Sequence, residues 1–177
     1  MILGIDKLLE LVKKKKLVEN LSERELKNPE GTGFDIRMGE IYRLKEDGFL
    51  GIDERKTPDV ELLAKYGKDK KYILKPNEFV LIKTLEKVNV PENLTMFTFP
   101  RSTLHRCGIQ FLCTKTDPGY SGELVFGLKN LSDKNFKVEL GSRIANIVFL
   151  EIKGKTVPYR GQWKNGRVTT KEKEKQV

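Results

Sequence analysis

Histidine and cysteine are scarce in this sequence, whose 177 residues include one histidine, His105, and two cysteines, Cys107 and Cys113. A structural zinc site needs four ligands, and no second pair of cysteines or histidines is present to complete one. The sequence therefore argues against a zinc-dependent deaminase mechanism. Two cysteines are also too few for the disulfide framework of a small secreted domain, so we expect two buried thiols in a reducing compartment.

Long apolar runs are also missing, since none approaches the roughly 20 residues that span a bilayer. Near the N-terminus, apolar residues precede the lysines Lys13 to Lys16, which reverses the charge order of a signal peptide. We therefore expect a cytoplasmic protein without a membrane partner. Hydrophobic residues make up 38% of the chain, which is enough for one domain with a packed core.

Positive charge is in excess, with a formal net charge of +9. Such a balance suits a polyanionic partner, which could be a nucleic acid or a nucleoside triphosphate. It equally suits a solvated surface, so charge alone does not choose between an enzyme acting on nucleotides and a nucleic-acid-binding protein.

The N-terminal part of the chain has a mixed pattern. Apolar residues recur at helical spacing between Ile5 and Val12, which predicts one short amphipathic helix over residues 5–16. Residues 17–30 are polar and fit a second short helix or a turn. Residues 44–72 are charged and interrupted by glycine and proline, so we expect a long surface excursion with a helix around residues 59–66.

From Tyr72 onward, short runs of β-type residues alternate with turn residues. The predicted strands cover residues 79–85, 94–99, 109–113, 123–129, 136–140 and 144–152. Strands and turns at this spacing indicate an all-β sandwich, barrel or jelly roll. We expect a single domain over residues 1–163, followed by a charged, mobile tail over residues 164–177.

Three polar segments could carry chemistry, and each also has a simpler explanation. Residues 100–108 hold two arginines and two hydroxyls after a strand, which suits phosphate oxygens but also an ordinary polar turn. Residues 117–123 form a tight turn, in which Asp117 is either a rigidly held carboxylate or an acceptor of local hydrogen bonds. Residues 141–147 alternate an arginine and an asparagine with apolar residues. The two polar side chains could serve a site, but an ordinary edge strand has the same pattern.

Taken together, five segments in order resemble the dUTPase/dCTP deaminase superfamily over residues 31–165. They are GFDIRMG at 33–39, LKPNEFVLIKTLEKVNVPENL at 74–94, PRSTLHRCGI at 100–109, DPGYSGELVFGLKN at 117–130 and LGSRIANIVF at 140–149. The resemblance implies a distorted β jelly roll or barrel, to which the helical spacing of residues 5–16 adds a short N-terminal helix. It also implies a homotrimer whose active sites are shared between subunits.

The resemblance implies roles for individual residues. Asp117 would be the catalytic carboxylate that orients the attacking water. The phosphate-binding residues would be Arg101, Ser102, Thr103 and Arg106. Tyr120 would pack on the deoxyribose, in a nucleoside site with Val125, Phe126 and Gly127. Supporting residues would be Asp35, Arg143, Asn146, Tyr159 and Trp163. Mg²⁺ would bind mainly through the triphosphate, without a dedicated protein site.

Within this superfamily, the sequence favours hydrolysis of dUTP to dUMP and pyrophosphate. In dCTP deaminases a glutamate moves the proton at the base, ten residues after the counterpart of Asp117, and here that position is Gly127. Loss of such a group typically costs ~10²–10⁴-fold in rate. Glu123 is a poor substitute, because four strand residues span about 13 Å.

Two alternatives stay open. The segment from Tyr159 to Trp163 resembles the C-terminal segment of dCTP deaminases, and Asn146 replaces the glutamine of many dUTPases. The first alternative is therefore a dCTP deaminase or a bifunctional dCTP deaminase/dUTPase. The second is a non-catalytic trimeric binder of nucleotides or nucleic acid, although we expect nucleic acid not to be the partner.

Overall fold

The computed structural model describes residues 1–176, and strands are its dominant elements. The helices are α1 (Ile5–Lys15), α2 (Glu23–Lys27) and α3 (Ser102–Arg106), and a short 3₁₀ turn covers Lys164–Gly166. The strands are β1 (Val18–Glu19), β2 (Gly33–Leu44), β3 (Phe49–Leu50), β4 (Glu54–Lys56), β5 (Val60–Lys65), β6 (Lys71–Leu74), β7 (Phe79–Asn89), β8 (Leu94–Pro100), β9 (Ile109–Leu112), β10 (Ser121–Asn130), β11 (Phe136–Glu139), β12 (Arg143–Glu151) and β13 (Glu174–Lys175).

The main sheet is antiparallel and nearly closes into a barrel, in the order β8-β12-β2-β7-β10-β9. β1 is added beside β7, and β5 beside β2. Two small sheets, β11-β6 and β13-β4-β3, complete the strand pairing. The all-β class predicted from the sequence is therefore confirmed.

Alternation along the strands places the core inside this sheet. Every second residue of β7 is buried, and on β8 the buried residues include Leu94 and Met96, which are almost completely covered. Phe34 of β2 and Phe149 of β12 are fully buried, and each such side chain contributes roughly 1.5–3 kcal/mol. No helix of the described residues is long and apolar enough to cross a membrane.

The helices at the N-terminus follow the sequence pattern. α1 corresponds to the predicted helix over residues 5–16 and buries Leu8, while its last turn carries three lysines. Positive side chains are favourable there because the carbonyl groups of a helix end carry partial negative charge. α2 fills the position of the predicted second helix, and its first residues are capped by the Ser22 side chain, which accepts from Glu25 N–H.

Two segments differ from the sequence prediction. The helix expected around residues 59–66 is wrong, because Val60–Lys65 is strand β5 and Leu62 pairs with Tyr42 of β2. Pairing along a sheet here outweighs the helix propensity of the segment. β2 is a 12-residue strand, and no strand was predicted for this segment from the sequence. At Gly33 a Cβ would lie 2.2 Å from Ile147 O, so only glycine allows this approach of β12.

The C-terminal stretch makes defined contacts with the domain. β13 pairs with β4, and the buried Thr170 exchanges two hydrogen bonds with Thr57: Thr57 N–H donates to Thr170 Oγ1 at 3.0 Å, and Thr170 N–H donates to Thr57 Oγ1 at 2.8 Å. The mobility of residues 164–177 stays a prediction. In the structure Gly166 and Thr170 are buried, whereas residues 171–173 and 175–176 are exposed. Val177, the last residue of that stretch, lies outside the described residues.

The expectation of buried cysteines is wrong. Cys107 and Cys113 are both free thiols and both exposed. Cys107 follows α3 at the surface. Cys113 follows β9, which is the last strand of the main sheet and pairs on its outer side with no strand of residues 1–176.

Candidate functional site

The segment that precedes β10 is a tight turn that carries Asp117. Pro118 and Gly119 occupy its central positions, Gly119 has φ +77°, and Tyr120 N–H donates to Asp117 O at 3.2 Å. These features define a type II turn, which needs a positive φ at its third residue. Thr116, just before the turn, exchanges two backbone hydrogen bonds with Met96 of β8: Thr116 N–H donates to Met96 O at 2.8 Å, and Met96 N–H donates to Thr116 O at 3.1 Å. Hydrogen bonds therefore hold the backbone on both sides of Asp117. The role of Asp117 as a positioned catalytic carboxylate stays a prediction.

Asp117 borders a cavity of about 640 Å³, here named the large cavity. Tyr120, Val125 and Phe126 line the same cavity, so the structure brings together the predicted catalytic carboxylate and three of the four predicted nucleoside-binding residues. Other wall residues come from β2, β7 and the segment before β5; they include Leu44, Phe79, Leu81, Thr57 and Pro58. The sequence reading missed these wall residues, because they are separated from the motifs along the chain and carry no chemical signature.

Tyr120 is a buried part of the cavity wall. Its hydroxyl donates to Glu123 O at 2.6 Å and lies 3.2 Å from Trp163 O, which can share the same hydrogen. Burial, together with the neighbouring Tyr159 and Glu123, raises the pKa of Tyr120 to about 12, so the phenol stays neutral at physiological pH. Its ring meets Tyr159 edge to face, with 5.4 Å between centroids. The Tyr120 ring is thus held in one orientation beside Asp117.

The C-terminal segment closes one side of this cavity. Tyr159 and Trp163 line it as the sequence suggested, and they are joined by Arg167 and Val168. The guanidinium of Arg55 lies 4.8 Å from the centre of the Trp163 ring, which is a cation–π distance. Arg167 was missed because it lies in the stretch assigned to the tail.

The predicted phosphate residues lie elsewhere in the chain. Arg101 and Ser102 line a second, polar cavity of about 280 Å³, together with Asp35 and Asn146. Within one chain, the structure therefore does not place Arg101 and Ser102 in the cavity of Asp117.

Asp35 organises this second cavity. Its buried carboxylate forms an ion pair with Arg101, accepts from Arg143 Nη1 at 2.8 Å and accepts from Asn146 Nδ2 at 3.0 Å. Of the predicted supporting residues, Arg143 and Asn146 thus both contact Asp35, and Asp35 in turn orients Arg101.

Glu25 adds a second layer behind Asp35 that the sequence reading missed. Its carboxylate is 1% exposed, accepts from Asp35 N–H at 3.0 Å and pairs with Arg24. The signal available in the sequence was weak, because Glu25 lies in a polar segment without a motif.

Around α3, the remaining phosphate candidates face solvent. Leu104 is buried and anchors the helix, whereas Ser102, Thr103 and Arg106 are exposed. Arg106 makes no side-chain hydrogen bond or ion pair with any other described residue, so its guanidinium is available to a ligand or to a second chain.

Gly127 is buried on β10 and does not line the large cavity. A Cβ at this position would lie 2.9 Å from the Phe79 ring and 3.2 Å from Leu112 Cβ. A larger side chain at residue 127 therefore requires the Phe79 ring to move.

Comparison with known proteins decides the family. A family model described as dCTP deaminase-like matches residues 2–152. The chain belongs to this family. This confirms the resemblance to the dUTPase/dCTP deaminase superfamily inferred from the motifs.

Relatives within the family carry both activities in their names. A probable deoxyuridine 5′-triphosphate nucleotidohydrolase of Aeropyrum pernix is 34% identical, covering 74% of this chain and 81% of the relative. A dCTP deaminase of Pyrococcus furiosus is 31% identical over 86% of each chain, and a dUMP-forming dCTP deaminase of Persephonella marina is 29% identical over 96% and 95%. Sequence similarity thus shows a family of nucleotide-metabolising enzymes.

Solved structures show the same fold. The 2′-deoxycytidine 5′-triphosphate deaminase of Agrobacterium tumefaciens matches with a TM-score of 0.64 and 17% identity, over 84% of this chain and 47% of that chain. This chain therefore spans about half of that longer chain. A dUTPase mutant from phage phi11 of S. aureus matches with a TM-score of 0.51 and 18% identity, over 82% and 95%.

Proposed function

We propose that the protein is a dUTP pyrophosphatase that hydrolyses dUTP to dUMP and pyrophosphate. The observation that carries the proposal is the cavity in which Asp117 and Tyr120 meet, on a chain that has Gly127 where deaminases place their glutamate. A hydrolase needs an oriented water and held phosphates, whereas a deaminase also needs a proton carrier at the base.

In the proposed mechanism, the nucleoside enters the large cavity and its sugar packs against Tyr120. Val125 and Phe126 provide apolar walls near the base. The carboxylate of Asp117 orients a water and accepts its proton as the water oxygen attacks the α-phosphorus. Arg101, Ser102, Thr103 and Arg106 hold the phosphates through hydrogen bonds, of which the arginine bonds are charge-assisted.

Magnesium fits this site as an ion carried by the substrate. Among residues 1–176, no cluster of three or more histidine, cysteine, aspartate or glutamate side chains could hold a metal ion. Mg²⁺ usually keeps several waters and binds through substrate phosphates with few carboxylates, and Asp117 is a carboxylate available beside them. When bound, the ion neutralises charge on the triphosphate. The phi11 dUTPase mutant is described with a structural Mg(II) ion.

A homotrimer with shared sites accounts for the separation of the two half-sites. Asp117 and Arg101 line different cavities of one chain, so the phosphate residues act on a nucleotide held by a neighbouring chain. The outward face of β8 offers apolar contact area, since Phe97 and Phe99 are 37% and 54% exposed. Exposed aromatic residues of this kind are enriched in interfaces.

A dCTP deaminase, or a bifunctional enzyme, is the second candidate. The similarity to relatives named dCTP deaminase favours it, because these relatives match along most of the chain. Gly127 opposes it, since glycine cannot transfer a proton. A non-catalytic binder is less well supported. A carboxylate beside phosphates repels them and weakens their binding, so the presence of Asp117 fits a catalytic role better.

The Asp117→Asn variant tests the proposal. Because the carboxylate acts on water, dUTP hydrolysis should fall ~10²–10⁴-fold, whereas the affinity for a non-hydrolysable dUTP analogue should change little. Asp133→Asn is a matched control, since the Asp133 side chain is 82% exposed and its one ion pair among the described residues is with Lys134. Unchanged turnover in Asp117→Asn would contradict the assignment of Asp117.

A further inference from the structure

Lys115 lies on the rim of the large cavity, two residues before the turn that carries Asp117. The intervening Thr116 is buried and its backbone is fixed by hydrogen bonds to Met96 at 2.8 and 3.1 Å. In extended backbone, side chains two residues apart point to the same side. Lys115 and Asp117 accordingly face each other, and the Lys115 ammonium forms an ion pair with Asp117 Oδ1.

This ion pair contributes little to the fold. The side chains of Lys115 and Asp117 are 56% and 40% exposed, and exposed pairs are typically worth ~0–1 kcal/mol. The pair is therefore easily rearranged when a charged ligand arrives.

Charge in the cavity wall identifies what Lys115 can bind. Among the described lining residues, Asp117 is the one acidic side chain, and Lys115 and Arg167 are the basic ones. The Arg167 guanidinium already donates to Thr169 O at 2.9 Å and Thr170 O at 2.8 Å, and it pairs with Glu174. An ammonium has three donors, so Lys115 retains two after the bond to Asp117.

We infer that Lys115 is a further catalytic residue of the proposed hydrolase: its ammonium bridges Asp117 Oδ1 and a phosphate oxygen of the bound triphosphate. This inference rests on the proposed function. A carboxylate next to a triphosphate is repelled by it, and a cation placed between them removes that repulsion. The flexible lysine stem lets the ammonium reach the phosphate without leaving the carboxylate.

The bridge leaves the second oxygen of Asp117 free for the proton. The water oxygen forms a bond to the α-phosphorus, and the bond from that phosphorus to the bridging oxygen breaks. The bridging oxygen leaves with the electron pair as part of pyrophosphate, and the proton of the water passes to Asp117 Oδ2. Lys115 takes no part in this proton transfer and acts by position and charge.

The test compares Lys115→Met and Lys115→Arg with Lys134→Met as the matched control. Lys134 also pairs with an adjacent aspartate, at 3.0 Å, and lies outside the cavity lining. Calorimetry measures the affinity for the imidotriphosphate of deoxyuridine and, separately, for deoxyuridine, while steady-state kinetics on dUTP give kcat and KM.

We expect Lys115→Met to weaken imidotriphosphate binding about tenfold or more, the effect of one charge-assisted hydrogen bond. Its deoxyuridine affinity should be unchanged, its kcat for dUTP should fall, and Lys115→Arg should recover most of the triphosphate affinity. Lys134→Met should behave as wild type.

Two results overturn the inference. One is a Lys115→Met variant with wild-type affinity for the imidotriphosphate, and the other is an equal loss of affinity for deoxyuridine, which would indicate a structural role. If the wild type binds the imidotriphosphate through Lys115 and yet does not hydrolyse dUTP, the hydrolase proposal fails and the phosphate contact stands. A wild type that binds no imidotriphosphate overturns both.

Discussion

Glu40 should control the acid stability of the sheet that forms the cavity wall. It lies on β2, and its side chain is 13% exposed. Lys65 of β5 and Lys83 of β7 approach its carboxylate at 2.7 and 2.8 Å, and Tyr42 donates a hydrogen bond to it. Glu40 therefore joins three strands, two of which carry residues of the large cavity.

The magnitude follows from the pKa of Glu40. Burial opposes its ionisation, but the hydrogen bonds from Lys65, Lys83 and Tyr42 outweigh burial and lower the pKa from 4.5 to about 2. Since a tenfold change in an ionisation constant corresponds to 1.36 kcal/mol, this lowering corresponds to roughly 3 kcal/mol. The lysines are partly exposed, so screening reduces the expected contribution to about 1–2 kcal/mol.

The lowered pKa of Glu40 determines the pH range in which its carboxylate stabilises the fold. A carboxylate with a lowered pKa in the folded state stabilises the fold above its unfolded pKa, and the contribution is lost as the pH falls from about 4.5 towards 2. Glu40→Gln should therefore lower the free energy of unfolding by about 1–2 kcal/mol at neutral pH. The difference from wild type should shrink as the solution is acidified through this window.

Urea denaturation at neutral pH and at about pH 3 measures both effects. Glu61→Gln is the matched control, because Glu61 on β5 pairs with Arg43 at 3.5 Å and both side chains are more than half exposed. That control should change stability by less than about 0.5 kcal/mol. A Glu40→Gln variant as stable as wild type at neutral pH, or equally destabilised at both pH values, would refute the reasoning.

Three further predictions concern the site and its assembly. Arg106→Ala should reduce kcat/KM for dUTP about tenfold or more in steady-state kinetics, because one charge-assisted bond to phosphate is worth ~1.5–3 kcal/mol; wild-type kinetics would remove Arg106 from the phosphate site. Truncation after Gly166 should raise KM for dUTP, because it deletes Arg167 and Val168 from the cavity wall and Thr170 from its contact with Thr57. An unchanged KM would show that this segment is not part of the nucleotide site. Light scattering should give three copies of the 20.4 kDa chain, and a 20.4 kDa particle at micromolar concentration would count against shared sites.

Much of the β structure could be predicted from the sequence because alternation is a direct consequence of pleating. On β8, buried and more exposed residues alternate from Leu94 to Thr98, with Leu94 and Met96 on the buried face. The exceptions have physical causes. β5 has a helix-forming sequence and becomes a strand by pairing with β2, an interaction between distant residues. Gly33 reads as a break, whereas it allows the close contact with Ile147.

The sequence motifs identified individual candidate residues, but they did not show which of these residues lie together in one cavity. The turn residues that hold Asp117 and Tyr120 are local, so the sequence reports them directly. The separation of Arg101 from Asp117 depends on how β8 and β10 are placed in the barrel, which no local pattern records. Arg167 was not predicted as a cavity residue for another reason. Its segment is charged and poor in apolar residues, a composition typical of a mobile tail.

Product analysis tests the proposed hydrolysis of dUTP most directly. Purified protein is incubated with Mg²⁺ and either dUTP or dCTP, and the nucleotides and ammonia are identified by chromatography and an ammonia assay. The proposed function predicts dUMP and pyrophosphate from dUTP, with dCTP recovered unchanged because Gly127 carries no proton-transfer group. Formation of dUTP, or of dUMP with ammonia, from dCTP would contradict it, as would dUTP that remains intact.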